Sequence, residues 1–165
     1  MITKDDYRNA MARLTGAVNI ISSQGQAGLA GFTASAVCSV TDDPPTLLVC
    51  VNMSSRQSEL LRGNGVLCVN TLAADQADIA RLFSTRDMPM EDRFAMGEWT
   101  VLQSGSPVLK GALAAFDCRI DQRLEMGTHA VLFCEVLAVA DQTGDALVYF
   151  DRAFHTLPAT PPQRR

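Results

Sequence analysis

Hydrophobic and polar positions divide the chain into short stretches of differing period. Near the start, Tyr7, Ala10, Met11 and Leu14 fall at i, i+3, i+4 and i+7, the spacing that places four side chains on one helical face. Thr3 ahead of Asp5 and Asp6 supplies a helix start, and Gly16 a stop. "AVNIIS" then predicts a short strand, "SQGQAG" a turn, and Leu29 to Ala36 a second strand. The chain breaks at Asp42-Asp43-Pro44-Pro45, where proline sets a reversal. It resumes as "TLLVCVN", whose unbroken apolar run predicts a fully buried strand.

Further along, Ser54 or Ser55 caps a short helix that Gly63 and Gly65 end. "VLCVNTL" reads as a strand, and "DQADIARLF" as a helix with Ile79, Leu82 and Phe83 on one face. "STRDMPMEDRFAMGEW" is polar and broken by Pro89, which predicts a loop with one short helix in which Met88, Met90 and Met96 pack. From Ala112 the residues alternate: Phe116, Cys118 and Ile120 point one way, and Asp117, Arg119 and Asp121 point the other. That is the mark of a half-exposed antiparallel strand. "THAVLFCEVLAVA" and "ALVYF" predict two more strands joined by the turn "DQTGD". Six to eight short strands with two or three short helices result. Regular strand–helix alternation is absent, as is a G-x-G-x-x-G after a first strand, so a mostly antiparallel β fold of barrel type is expected.

Composition narrows the class. The 165 residues are 47% hydrophobic, enough for one compact domain spanning 1–160, with 161–165 as a flexible tail. The net charge is −4 and no basic stripe is visible, which argues against nucleic acid. The longest apolar run, Ala130 to Ala140, is interrupted by Glu135 and falls short of the roughly 20 residues of a membrane span. An acidic N-terminal stretch with no apolar centre is no signal peptide, so a cytoplasmic protein is expected. The five cysteines form no C-x-x-C pair and sit in strand-like surroundings, which predicts buried, reduced thiols. His129 and His155 are isolated, so no metal site is expected.

Candidate chemistry lies where apolar strands run out into small or hydroxylated residues. These places are "GFTASAVCS", "VNMSSRQS" and the bend from Phe83 into Ser84 and Thr85. Hydroxyls, backbone N–H groups and one guanidinium around a helix start form a ready anion site. Small side chains at Ala34 and Ala36 let a flat ring approach the backbone. No Ser-His-Asp or paired-carboxylate arrangement is present.

Together, "GFTASAVCSVTDDPPTLLVCVN", "GNGVLCVNTL", "MEDRFAMGEW", "PVLKGALAAFDCRI", "GTHAVLF" and "LVYFDRAFHTL" resemble the short-chain flavin reductases, the reductase components of two-component flavin monooxygenases. The resemblance runs from about Tyr7 to Leu157. It implies a split β-barrel homodimer of the FMN-binding type, with FMN or FAD as flavin and NADH or NADPH as hydride donor. Reduced flavin would diffuse to a partner monooxygenase. By the resemblance, Thr33, Ala34, Ser35 and Ala36 line the flavin ring. Ser39, Asn52, Ser54, Ser55 and Arg56 reach the ribityl chain and phosphate, and Phe83 and Ser84 close the site. His129 would position the nicotinamide, near Tyr149, Phe150 and Arg152. Many relatives carry Arg directly after the strand-end Asn, where this chain has Met53. The phosphate anchor is then either Arg56 or a set of hydroxyls and amides. A non-catalytic flavin-binding protein on the same barrel is the alternative reading.

Overall fold

The computed structural model describes residues 1–161. Of the expected flexible tail, residues 162–165 lie outside the described residues. The first helix, α1 (Lys4–Met11), is capped by Thr3, whose hydroxyl accepts the Asp6 N–H while the Asp6 carboxylate accepts the Thr3 N–H. It ends at Ala12, not at Gly16, which instead opens β1 (Gly16–Ala17). β2 (Asn19–Ser23), β3 (Ala30–Ala34), β4 (Val37–Asp42) and β5 (Pro45–Asn52) follow, with the last two joined at Asp43-Pro44. α2 (Arg56–Asn64) ends on Gly65 at φ 70°, a left-handed conformation that glycine adopts without steric penalty. Gly63 lies inside that helix.

Beyond it come β6 (Val66–Thr71), a 3₁₀ turn (Ala74–Gln76), α3 (Ala77–Ser84) and α4 (Met90–Phe94). The chain closes with β7 (Trp99–Val101), β8 (Pro107–Leu109), β9 (Ala114–Met126), β10 (His129–Asp141), β11 (Ala146–Phe150) and β12 (Ala153–Leu157). Twelve strands among the described residues exceed the expected six to eight, and β9 and β10 run 13 residues each.

Seven strands form one antiparallel sheet in the order β3-β2-β6-β9-β10-β5-β4. Its two edge strands, β3 and β4, are consecutive in sequence yet share no ladder. Even so, Phe32 and Ala34 of β3 and Val37 of β4 pack on the same core as Ile21, Val49, Val69, Cys118 and Leu132. The sheet therefore curls until both edges face one interior. Period-two alternation sends Ile20, next to Ile21, to the opposite face. There it joins Val18, Leu72, Ile79, Phe83 and Leu147 under α3 and the small sheet β1-β11-β12. Burying a side chain such as Phe83 contributes roughly 1.5–3 kcal/mol.

Three expectations are corrected. β5 is not buried on both faces: Leu47, Val49 and Val51 point inward, while Leu48 and Cys50 stay half-exposed, because none of the described residues fully covers its outer face. Asp117 is not on the solvent side of β9. It is fully buried, since the Ser104–Ser106 loop folds over that face and gives it the Ser104 N–H at 2.6 Å and the Ser104 hydroxyl. The thiols are divided: Cys68, Cys118 and Cys134 are buried, Cys50 is half-buried, and Cys38 is exposed on edge strand β4. The helix α1 buries none of its residues among the described ones, and Tyr7, Met11 and, just beyond its end, Leu14 remain exposed.

Candidate functional site

The small residues of β3 allow two close approaches. Phe83 of α3 lies so near that a Cβ on Gly31 would stand 2.6 Å from its ring. One turn earlier in α3, the Ala80 carbonyl accepts the Thr33 hydroxyl at 2.6 Å. Buried Asn19 donates to the Ala34 carbonyl at 3.2 Å and holds the strand from behind. Ser35 and Ala36 then carry the chain across the open corner between β3 and β4. Their carbonyls accept the N–H groups of Val37 and Cys50, whereas neither of their own N–H groups has a partner among the described residues.

At the end of β5 the hydroxyls serve the backbone first. The Asn52 side-chain oxygen accepts both the N–H and the hydroxyl of Ser54 at 2.9 Å. The Ser55 hydroxyl caps α2 by accepting the Gln57 N–H at 3.2 Å. Met53 turns away and packs on the main core. Arg56, the first residue of α2, extends into solvent without an ion-pair partner among the described residues. It stands where the helix dipole and unpaired N–H groups already favour an anion.

The third element is the segment after α3. Ser84 and Thr85 both donate their hydroxyls to the Arg81 carbonyl, at 2.7 and 3.1 Å. Asp87 has a left-handed backbone at φ 62°. Arg93 of α4 reaches beneath this segment and bonds the carbonyls of Gly31, Phe83 and Thr85. Burial holds its guanidinium below the usual arginine value.

These three elements enclose a cavity of about 560 Å³, within the size range of small-molecule sites. Phe32 and Thr33 form one wall, Asn52 and Ser54 to Gln57 a second, and Phe83 to Asp87 a third, with Arg93 beneath. Arg56 and Arg86 are its two exposed cations. A smaller cavity of about 320 Å³ adjoins it through the shared residues Thr33 and Ser84, and Ala34, Ser35, Arg81, Tyr149 and Phe154 also line it. The structure thus brings together Thr33, Ala34, Ser35, Asn52, Ser54, Ser55, Arg56, Phe83, Ser84 and Tyr149.

The other expected site residues lie outside both cavities. Ala36 and Ser39 are exposed, at the corner and on the outer edge strand. His129 opens β10 directly opposite Asn52 in the ladder, which puts it at the rim, and its Nδ1 is 2.9 Å from the Thr128 hydroxyl. Arg152 sits in the tight β11–β12 turn at φ 64° and donates to the Asn9 side chain at 2.7 Å, tying the turn to α1. The Phe150 carbonyl is 3.1 Å from His155 Nε2.

Sequence reasoning missed Arg86 and Arg93. Arg86 follows the selected Ser84 by two residues, and a cation beside a hydroxyl cluster at a helix end was a usable signal. Arg93 gave none, because its burial depends on Phe83, Thr85 and Gly31 converging from elsewhere.

An antiparallel sheet curled around one core thus carries, at its open corner, a cavity lined by two exposed cations. Residues 11–158 match the flavin reductase like domain, and the chain belongs to that family. It is 53% identical over 161 residues to the FMN reductase (NADH) RutF of Ancylobacter novellus, covering 97% of this chain and 88% of that protein. The FMN reductase (NADH) RutF of Variovorax paradoxus is 55% identical over 162 residues, covering 98% of this chain and 89% of that one. Among solved structures, BorF, the flavin reductase component of a bacterial two-component tryptophan halogenase, superposes with a TM-score of 0.88. It is 30% identical, over 94% of this chain and 99% of that chain.

Proposed function

We propose that this protein is an NADH-dependent flavin reductase that supplies diffusible reduced flavin to a partner monooxygenase. The observation that carries the reading is the meeting of three distant segments, Thr33–Ser35, Asn52–Arg56 and Phe83–Arg86, around two adjoining cavities with two exposed cations that form no ion pair among the described residues. The flavin's phosphate fits between Arg56 and Arg86. Ser54 spends its hydroxyl proton on Asn52, so the guanidinium groups carry the anchor. The ring fits the smaller cavity along Thr33, Ala34 and Ser35, beside the unpartnered Ser35 N–H. That donor suits the negative charge which flavin takes up on reduction.

Bound there, flavin accepts a hydride at N5 from nicotinamide C4, chemistry that belongs to the two cofactors. The protein orients them and keeps water away. His129, at the rim beside Asn52, is assigned to the nicotinamide side. The open cavities favour a flavin that leaves after reduction.

The curled seven-strand sheet fits the split-barrel form, and the exposed apolar residues Tyr7 and Met11 of α1, with Leu14 just beyond it, fit a homodimer. Among the described residues no helix is long and apolar enough to cross a membrane, and a cytoplasmic reductase is the matching assignment.

The test is absorbance at 340 nm with NADH or NADPH and added FMN or FAD. Flavin-dependent nucleotide loss is expected, fastest with NADH. Arg56→Ala and Arg86→Ala should each raise the flavin KM about tenfold or more, the worth of a charged hydrogen bond. No nucleotide oxidation with any flavin would overturn the reading.

A further inference from the structure

The smaller cavity holds one cation, and the proposed function gives it no task. Arg81 of α3 lines that space beside Ser35, Tyr149 and Phe154. Its guanidinium lies over the Phe154 ring, 5.4 Å from the centroid. Nη1 donates to Asp78 at 2.8 Å, while Nε and Nη2 make no hydrogen bond among the described residues. The backbone around Arg81 is fixed to the cavity on both sides. The preceding carbonyl, of Ala80, accepts the Thr33 hydroxyl, and its own carbonyl accepts the Ser84 hydroxyl.

We infer that Arg81 is a catalytic residue of the hydride transfer, stabilising the negative charge that the flavin ring gains. The inference rests on the placement of the ring in the smaller cavity given above. A hydride carries two electrons and one proton. The C–H bond at nicotinamide C4 breaks, an N–H bond forms at flavin N5, and the nicotinamide leaves as a cation. The ring keeps one negative charge, spread over its N1–C2=O edge, which the oxidised ring lacks. A group that meets this charge favours the transition state and product over the substrate.

Arg81 is the only cation among the residues lining this cavity, and it stands with Ser35, whose N–H has no partner among the described residues. Ser35 offers a dipole there, and Arg81 a formal charge. The free Nε and Nη2 form one edge of the guanidinium fork, a match for two adjacent acceptors such as N1 and O2. Asp78 does not cancel the charge at this point. It lines neither cavity and its side chain is 87% exposed, so water screens the pair. A ring lying against Val18, Tyr149 and Phe154 displaces water from the guanidinium and strengthens its field. Arg56 and Arg86 face the phosphate in this reading. That group carries the same charge before and after reduction, so they do not favour either form.

Anaerobic ultrafiltration of the intact protein with oxidised FMN and with dithionite-reduced FMN tests this, on the wild type, Arg81→Met and Arg81→Lys. The wild type should hold reduced FMN about tenfold more tightly than oxidised FMN, the worth of one charged hydrogen bond. Arg81→Met should abolish that preference while its affinity for oxidised FMN stays within about twofold, which also reports an intact fold. The lost preference corresponds to a fall of about 30 mV in the midpoint potential of the bound flavin. Arg81→Lys keeps the charge and should keep most of the preference. Equal binding of both forms by the wild type would overturn the assignment, as would a Met variant that weakens both forms alike. An intact preference in Arg81→Met, with a raised KM for NADH, would overturn it too and give Arg81 to the dinucleotide. Binding of neither form by the wild type would instead remove the flavin reading itself.

Discussion

The Arg93 guanidinium donates to the Phe83 carbonyl at 3.1 Å from within the protein. It also bonds the Gly31 and Thr85 carbonyls, and no carboxylate pairs with it among the described residues. A buried cation is expensive unless its donors are used. Three carbonyl dipoles use its two terminal nitrogens here, while Nε is left without a partner among the described residues; in return the cation fixes the segment that closes the cavity against β3.

Replacing Arg93 by Met should therefore leave three carbonyls short of a donor and cost about 2–4 kcal/mol by urea unfolding. The flavin KM should rise more than kcat falls, because Ser84 to Asp87 lose their tether. Arg93→Lys should recover part of both effects. An Arg93→Met variant with wild-type stability and KM would refute the tether.

Gly31→Ala tests the contact between β3 and α3. The added Cβ would meet the Phe83 ring at 2.6 Å and the Phe94 ring at 3.0 Å, and those rings meet edge to face at 5.0 Å. Overpacking of this kind costs about 1–3 kcal/mol. Flavin affinity should fall with it, since Phe83 and Phe32 both line the cavity.

Asp117→Asn swaps a carboxylate oxygen for an NH₂ that faces donors. The Ser104 N–H and hydroxyl both point at this carboxylate, so a loss of about 1–3 kcal/mol is expected. Flavin KM should stay unchanged, because Asp117 lines neither cavity.

Burial pushes the Cys134 thiol up to about 12 from an ordinary 9.0, and desolvation raises Cys68 and Cys118 as well. In the unfolded chain these thiols ionise near 9, while in the fold they keep their protons. Their contribution is complete below pH 9 and declines as pH rises from 9 towards 12, by up to about 1.4 kcal/mol per unit per thiol. Cys134→Ala should show a shallower alkaline decline in urea unfolding than the wild type. In native protein at pH 8, iodoacetamide should modify Cys38 first and leave Cys68, Cys118 and Cys134 intact, as read by mass spectrometry.

Much of the site was legible because chemistry clusters at strand ends. The runs around Thr33, Asn52 to Arg56 and Ser84 each announced themselves by small or hydroxylated residues at the end of an apolar strand or helix, and the fold brings these three together. Arg152 was legible only by resemblance, and here it serves the β11–β12 turn and α1. Arg86 and Arg93 sat in a stretch read as loop, where local pattern assigns no partner.

By itself the sequence determined the local periods: the capped starts of α1 and α2, the alternating strands, and the Gly65 stop. Those follow from backbone sterics and from neighbours a few residues away. Only the tertiary structure decided which faces are covered. The Ser104 loop buries Asp117, thirteen positions on, α4 delivers Arg93 beneath a strand sixty-two positions earlier, and α1 is left with its apolar residues Tyr7 and Met11 exposed. A side chain's period states which way it points; what stands opposite is set by segments that the period cannot see.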